Sequence, residues 1–160
     1  MSVLLGTELN ASLIDLFEKR ISTVIVATVD REFCPHTAPF NHIVVKDSKN
    51  IRIAISRHHQ TYTNIMNNGY VAISVLDEGD IAVSIKGFAR IVRNAMDNDY
   101  NLSVVEVEIS EIKKDNSVLF FVTQGIRTRH KNEPSLLAAK RIFQELGQMD
   151  ATLPPEIDPE

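Results

Sequence analysis

The 160-residue sequence contains a single cysteine, Cys34, which excludes an intramolecular disulfide framework. With only six glycines and six prolines, it is neither collagen-like nor of low complexity. No apolar run approaches the roughly 20 residues that a membrane-spanning helix needs. The first residues lack both a basic start and a long apolar stretch. We therefore expect no secretory signal and no membrane partner.

Basic residues are outnumbered as well. Seventeen Lys and Arg residues stand against 21 Asp and Glu residues, which gives a formal net charge of −4. Nucleic-acid binding depends on neutralising phosphates, so we expect no nucleic-acid partner. A chain of this length is typical of one domain with one hydrophobic core. We therefore predict a single cytoplasmic domain over residues 1–148. Residues 149–160, rich in proline and acids, are expected to form a flexible tail.

Runs of β-branched residues separated by turn-like segments predict six or seven strands. We place them at residues 23–29, 36–45, 51–56, 70–76, 81–92, 102–112 and 118–123. Mostly short connections build antiparallel sheets, and closure into a barrel hides their edges. Pro39 indicates an edge, a bulge or an irregular start of its strand, and Gly87 indicates a bulge or a close backbone approach. These patterns predict a mainly β fold, a barrel with short peripheral helices.

Three segments have helical spacing. The first follows Asn10, whose side chain can cap it. A short helix is expected over residues 60–66. The last is a C-terminal helix from about Glu133 to Leu146, with a proline in its first turn and Gly147 at its end.

The strand predicted over residues 102–112 alternates strictly. Val105, Val107 and Ile109 share one face, and Glu106 and Glu108 lie on the other. This pattern is typical of an antiparallel strand that has one face in solvent.

No motif with a dedicated chemistry is present. The glycines lack dinucleotide-binding and phosphate-loop spacing, and there is no CxxC, paired-histidine helix or calcium loop. Cys34 and His36 are near enough in an extended chain to offer two zinc ligands, but nothing supplies others. Ordinary surface or partly buried histidines are favoured, and we predict no metal site. A redox role would therefore need a bound cofactor.

Residues 56–64 join a predicted strand to the short helix. Free backbone N–H groups and the helix dipole favour an anion there. Ser56 and Thr61 add hydroxyls, and Arg57 adds a permanent charge suited to phosphate. The alternative is that Thr61 or His59 only caps the helix and that Arg57 is solvated.

Residues 37–42 combine small and apolar side chains with an asparagine and a proline-broken strand. A flat aromatic ring could lie against the exposed backbone of such a segment. An ordinary strand with Phe40 facing the core is the alternative.

These segments occur in an order that resembles the FMN-binding split-barrel family related to pyridoxamine 5'-phosphate oxidase. The similarity covers roughly residues 10–115 and runs through TVIVATVDREFCPHTAPF, NIRIAIS, QTYTNIMNNGYVAISV and KGFARIV. It does not extend convincingly to residues 123–130, where the true oxidases carry basic substrate-binding residues. We therefore do not predict vitamin B6 oxidation.

The resemblance implies a split β-barrel that forms a homodimer with FMN at the subunit interface. It implies an FMN-dependent oxidoreductase or flavin electron carrier that acts on a small-molecule or electron-donor substrate. Carried over by position, the residues that would hold FMN are Thr37, Ala38, Pro39 and Phe40 along the isoalloxazine ring, Ser56 and Arg57 near the phosphate or ribityl chain, and Gln60, Thr61 and Asn64 at the phosphate.

One departure from the family supports alternatives. Gln60 stands where many relatives carry a basic residue, so one charge partner of the phosphate is missing. The same barrel could hold another ligand, such as haem or a deazaflavin, or serve as a non-catalytic interaction dimer. No catalytic acid or base is evident. His42 is a candidate on position alone, and Arg127, Arg129 and His130 could reach the flavin from a partner subunit.

Overall fold

The computed structural model describes residues 2–20 and 23–148, which form eight strands and three helices. In chain order these are β1 (Val3–Gly6), α1 (Ala11–Lys19), β2 (Val24–Val29), β3 (Pro35–Phe40), β4 (Ile43–Asp47), β5 (Asn50–Ser56), α2 (Gln60–Asn67), β6 (Tyr70–Asp77), β7 (Ile81–Arg93), β8 (Leu102–Lys114) and α3 (Glu133–Gln148). None of these helices is long and apolar enough to cross a membrane. The predicted tail lies outside the described residues.

The strands form one antiparallel sheet in the order β3-β2-β6-β7-β8-β5-β4, with β1 paired to the far end of β8. The sheet curls around a core without closing, so the fold is the split barrel that the resemblance implied. Gly87 lies at a shift of register between β7 and β8, which confirms the bulge predicted there.

The inner face of the sheet carries the main core. Its largest fully buried side chains include Ile51, Ile73, Ile85 and Ile112. Helix α1 adds an apolar stripe to this core, and its first turn is capped by Asn10, whose Oδ1 accepts the Leu13 N–H at 2.9 Å, as predicted.

Helix α3 covers part of the other face. Its Ile142 and Leu146 pack against Ala54 of β5 and Val104 of β8, with Met96 from the β7–β8 connection. The helix continues to Gln148, so the predicted end at Gly147 is wrong. Glycine only weakens a helix by about 1 kcal/mol, and buried Leu146 holds the last turn in place.

The single strand predicted over residues 36–45 is two strands. The chain turns at Asn41 and His42, and β3 and β4 then lie at opposite edges of the sheet. The His42 carbonyl accepts the Ala54 N–H at 2.9 Å, which fixes the turn against β5. Pro39 lies on an edge strand, where its missing N–H costs no ladder bond.

The strand predicted over residues 118–123 is absent from the described structure. The segment runs outside the ladder, and Val118, Leu119, Phe120 and Phe121 are all at least 75% exposed. The Asp80 N–H donates to the Val122 carbonyl at 3.1 Å, which ties down one point of the segment. High β propensity cannot make a strand where the chain offers no neighbouring edge.

The prediction that Glu106 and Glu108 of β8 both face solvent is also partly wrong. Glu108 is exposed, but Glu106 is only 2% exposed. Its carboxylate accepts hydrogen bonds from Arg52, Lys46 and Arg90 at 3.1, 3.2 and 2.9 Å. Strand alternation does not reveal such a cluster, because its partners come from three other strands.

Candidate functional site

The four β3 residues that the resemblance placed along a flavin ring alternate in direction. Ala38 and Phe40 are buried, whereas Thr37 and Pro39 are exposed. Their side chains therefore cannot all contact one face of a ring. What the four residues share is the edge of the sheet, where β3 has a neighbour, β2, on one side only.

A cleft of about 420 Å³ opens where β3 turns into β4. It lies between that turn, β5, the segment that leads into α3, and α3 itself. The described residues that line it are Pro39, Phe40, Asn41, His42, Ala54, Thr128, Arg129, His130, Ser135, Ala139 and Phe143. This volume is in the range of pockets that hold cofactors.

Aromatic rings form two walls of the cleft. Phe40 closes the β3 side, and Phe143 of α3 meets His42 edge to face, with ring centroids 5.3 Å apart. Burial lowers the pKa of His42, as does the nearby charge of His130, while Asp99 acts in the opposite sense. His42 is therefore neutral at neutral pH.

The polar groups of the cleft are basic or neutral. Arg129 and His130 line it, and none of its described lining residues is acidic. The segment that carries them is attached to the sheet, because Thr128 Oγ1 lies 3.3 Å from Thr23 Oγ1, which in turn donates to Asn41 Oδ1 at 3.4 Å. The cleft thus has a positive side fixed close to β3.

Arg127 lies outside the cleft. Its Nη1 pairs with Asp77 Oδ1 at 3.3 Å, and Arg20 holds the other oxygen of the same buried carboxylate at 2.7 Å. Of the three C-terminal side chains considered as flavin contacts, Arg129 and His130 reach the cleft within their own chain.

The N-terminus of α2 is capped by histidine. His59 Nδ1 accepts the Thr61 N–H at 3.1 Å, which confirms the capping alternative for this residue. Ser56 Oγ accepts the His58 N–H at 3.3 Å. The guanidinium of Arg57 donates to the Tyr100 carbonyl, so this exposed side chain points to the β7–β8 connection.

Of the remaining predicted phosphate contacts, Thr61 and Asn64 are buried, and Gln60 is exposed and bonded to Asn64. Thr61 and Asn64 are 2% and 1% exposed. Asn64 Nδ2 donates to Thr28 Oγ1 at 2.9 Å, and its Oδ1 accepts from Gln60 Nε2 at 2.8 Å. This network attaches α2 to β2, so it positions the helix.

The two predicted clusters meet at one contact. The ring of Phe40 packs edge to face on His59, with centroids 5.3 Å apart. The end of β3 and the start of α2 are therefore neighbours, as the resemblance required.

Sequence reasoning missed the contribution of α3 to the cleft. Ser135, Ala139 and Phe143 are spaced four residues apart, so they lie on one helix face. Phe143 is partly exposed, whereas its apolar neighbours on the helix, Ile142 and Leu146, are buried. Two small residues in line with an aromatic ring are the only sequence signal that could have indicated this wall.

Cys34 and His36, which lie near enough along the chain to offer two zinc ligands, do not form part of a metal site in the described residues. His36 Nε2 lies 2.9 Å from Asp30 Oδ2, and Cys34 is exposed. Within residues 2–20 and 23–148, no group of three His, Cys, Asp or Glu side chains is arranged to hold a metal ion.

The family model for pyridoxamine 5'-phosphate oxidase matches residues 13–129. The match begins in α1, covers every strand from β2 to β8 and ends at Arg129 of the cleft. The chain belongs to the pyridoxamine 5'-phosphate oxidase family. Its membership confirms the resemblance and extends it from residue 115 into the segment that lines the cleft. A search of curated proteins finds no match.

Solved structures share the fold of this family member. A Lactobacillus delbrueckii protein, provisionally named a pyridoxamine 5'-phosphate oxidase, is 24% identical with a TM-score of 0.61, over 70% of this chain and 98% of its own. An F420 reductase is 17% identical with a TM-score of 0.56, over 65% and 98%. HutZ, the haem storage protein of Vibrio cholerae, is 14% identical with a TM-score of 0.52, over 64% and 92%. At these identities the likeness concerns the fold alone.

Proposed function

We propose that this protein is an FMN-binding flavoprotein and that FMN lies in the cleft. The observation that carries the proposal is the composition of the cleft: aromatic rings on two walls, Arg129 and His130 on a third, and no acid among its described lining residues. A planar ring with an acidic substituent fits these walls, because the rings offer stacking or edge contacts and the guanidinium suits phosphate. FMN has that chemistry.

The chain's own residues would orient the cofactor. The edge of β3 offers backbone groups to the isoalloxazine ring, while Phe40 and Phe143 exclude water from either side. When bound, FMN accepts and returns a hydride or single electrons. An oxidoreductase or a flavin electron carrier, acting with a small-molecule or electron-donor substrate, is the activity that follows.

We also propose that the protein is a homodimer with the cofactor near the subunit interface. The support is the ridge formed by residues 118–121, four consecutive large apolar side chains that are exposed in the single chain. Exposed apolar patches of this kind mark interaction sites. Residues 122–127 join this ridge to Thr128 and Arg129 of the cleft.

Haem or a deazaflavin is the second candidate ligand. Both are planar and carry acidic groups, so the same walls suit them, and related folds include a haem storage protein and an F420 reductase. The specific observation in favour of haem is that His42 and His130 both line the cleft, since a neutral imidazole can bind iron.

The experiment is ligand loading followed by removal of free ligand. The purified protein is incubated separately with FMN and with haemin, desalted, and its visible absorption recorded. We expect flavin bands at about one FMN per chain, the stoichiometry of a single cleft. Retained haemin with no retained FMN would replace the flavin proposal with the haem alternative, and a flat spectrum in both cases would contradict both.

A further inference from the structure

We propose that the ion pair between Arg127 and Asp77 is a latch that holds one wall of the cleft in place, so that Arg127 is a positioning residue for the bound ligand. The wall belongs to a strap, residues 122–131, which runs from the apolar ridge towards α3. Arg127 itself lies outside the cleft and acts through the strap. The latch deepens the proposed function, on which its role in ligand binding rests.

The strap has few contacts of its own where it lines the cleft. It contains no helix or strand, and its residues Thr128, Arg129 and His130 are exposed lining residues of the cleft. Within the described part of the chain, residues 129–131 make no hydrogen bond or ion pair to the barrel. Segments of this kind open at a low free-energy cost. The position of the wall therefore depends on what holds the strap at its two ends.

Helix α3 holds the downstream end. Asn132 Oδ1 accepts the Ser135 N–H at 2.9 Å, and Ser135 Oγ donates to the Asn132 carbonyl at 2.7 Å, so the chain enters the helix in one fixed conformation. Ile142 and Leu146 then bury the helix against the outer face of the sheet. This end of the strap is as stable as the packing of α3.

The upstream end lies against the end of β6 and the β6–β7 turn. Arg127 Nη1 pairs with Asp77 Oδ1 at 3.3 Å, and Asp77 is fully buried. The backbone is close at this point, because a Cβ added to Gly125 would lie 2.9 Å from Asp77 Oδ1 and 3.0 Å from its Cα. Farther upstream, the Asp80 N–H donates to the Val122 carbonyl at 3.1 Å, and Asp80 Oδ1 accepts the Val122 N–H at 3.0 Å.

Asp77 is shared by two arginines that serve different elements. Arg20, which follows α1, donates from Nε and Nη2 to Asp77 Oδ2 at 2.9 and 2.7 Å, whereas Arg127 of the strap takes the other oxygen. Arg20 alone can therefore keep the carboxylate charged and in place. The next contact towards the cleft, between the hydroxyls of Thr128 and Thr23 at 3.3 Å, is neutral and weaker than a charge-assisted bond. Arg127 is thus the group that fixes the strap.

A ligand that contacts this wall binds the latched state of the strap. The apparent affinity is reduced by the fraction of molecules in which the strap is in place. If the loss of Arg127 leaves the strap in place in about one molecule in ten, FMN affinity falls about tenfold. No contact between Arg127 and the ligand is needed for this effect.

The test uses two independent ways of releasing the strap. Arg127→Ala removes the charge, and Gly125→Ala adds a methyl group that pushes the strap away from Asp77. Arg127→Lys restores a cation, and Arg20→Ala is the matched control, since it removes the other arginine from the same carboxylate without touching the strap. Three measurements are made on each protein: FMN affinity by flavin fluorescence titration, the rate of tryptic cleavage at residues 129 and 131 resolved by mass spectrometry, and the midpoint of urea denaturation.

We expect Arg127→Ala and Gly125→Ala to bind FMN about 5- to 10-fold more weakly than wild type and to be cleaved faster within the strap. Arg127→Lys should recover part of the affinity. Arg20→Ala should lower the urea midpoint yet keep the wild-type FMN affinity and cleavage rate. A general loss of stability cannot produce this contrast, because affinity would then follow the urea midpoint in all variants.

Wild-type affinity and cleavage rate in both Arg127→Ala and Gly125→Ala would overturn the latch. Faster cleavage with unchanged FMN affinity would overturn the positioning role while leaving the proposed function intact. An equal loss of affinity in Arg20→Ala and Arg127→Ala would assign the effect to stability and also overturn it. A wild type that binds no FMN would overturn the proposed function, and the cleavage rates would then decide by themselves whether Arg127 holds the strap.

Discussion

The ring of Phe40 at the end of β3 packs edge to face on the ring of His59 at the start of α2, with centroids 5.3 Å apart and planes inclined by 66°. His59 also accepts the Thr61 N–H, so one imidazole both caps the helix and contacts the wall of the cleft. Cleft and helix are therefore coupled through a single side chain.

Replacing His59 should separate the contribution of the helix cap to stability from that of the ring contact with Phe40. We expect His59→Ala to lower the free energy of unfolding by about 1 kcal/mol through loss of the cap, with a further ~0.5 kcal/mol from the ring contact. His59→Asn keeps an acceptor at the cap and should lose only the ring contribution. Urea denaturation of the three proteins measures both, and equal stability of His59→Ala and wild type would show that the cap contributes nothing.

The buried carboxylate of Glu106 should be a major contributor to stability. It is shared by Arg52, Lys46 and Arg90, and Glu106→Gln leaves these cations without their counter-charge. We expect a loss of about 3 kcal/mol. Glu108→Gln, on the same strand but exposed, is the control and should change stability by less than about 0.5 kcal/mol.

The loss of stability caused by Glu106→Gln should depend on pH. Burial pushes the pKa of Glu106 upward, but the hydrogen bonds from Arg90, Lys46 and Arg52 outweigh it and hold the pKa below the usual 4.5. The stabilisation is therefore complete above pH 4.5 and is lost as the pH falls through the folded-state value. The difference between wild type and Glu106→Gln should shrink in acid, and a difference that grows there would contradict the assignment.

Gly87 should not tolerate a side chain. An added Cβ would lie 2.7 Å from Val107 Cγ1 and would also meet the Glu108 carbonyl across the bulge. We expect Gly87→Ala to cost about 1–3 kcal/mol in thermal or chemical unfolding. Gly147→Ala in α3, where nothing lies within 4 Å, should be neutral or stabilise by up to about 1 kcal/mol. Equal effects at the two glycines would refute the packing argument.

Much of the fold could be predicted from the sequence because it depends on local patterns. Runs of β-branched residues between turn-like segments located the strands that begin at Tyr70, Ile81 and Leu102, and the Asn10 cap located α1. The split at Asn41 and His42 was not predictable in this way, since both halves have strand composition and only tertiary pairing places them at opposite edges.

The candidate site was predictable only in part. The resemblance identified the end of β3 and the start of α2, and the structure brings these two together. It could not show that Thr61 and Asn64 are buried and bonded inside the protein, because burial depends on how α2 packs on β2. Phe143 lines the cleft because of the position of α3, which lies beyond the part of the chain that the resemblance covered.

The ridge at residues 118–121 should hold two copies of the chain together. We expect light scattering to give twice the 18.0 kDa chain mass for wild type. The double variant Phe120→Ser, Phe121→Ser should be monomeric, because it removes the largest exposed apolar surface of the ridge.

The control for this variant is Phe33→Asn. Phe33 is equally exposed but lies in the β2–β3 turn with φ 63°, a conformation that asparagine adopts readily. It should remain dimeric. A monomeric wild type, or a double variant that keeps the dimer mass, would contradict the proposed interface.

The assignment of the cleft as the flavin site is tested most directly by comparing FMN binding in two proteins. One is wild type, and the other is a variant in which a larger side chain fills the cleft. Thr128 is exposed and lines the cleft, so Thr128→Trp should occupy ligand space without disturbing the core, and exposed Thr123→Trp outside the cleft is its control. Circular dichroism establishes that both variants are folded. We predict that wild type and Thr123→Trp bind FMN alike, whereas Thr128→Trp binds roughly tenfold more weakly or worse. Unchanged FMN affinity in Thr128→Trp, or no binding by wild type, would contradict the assignment of the cleft as the flavin site.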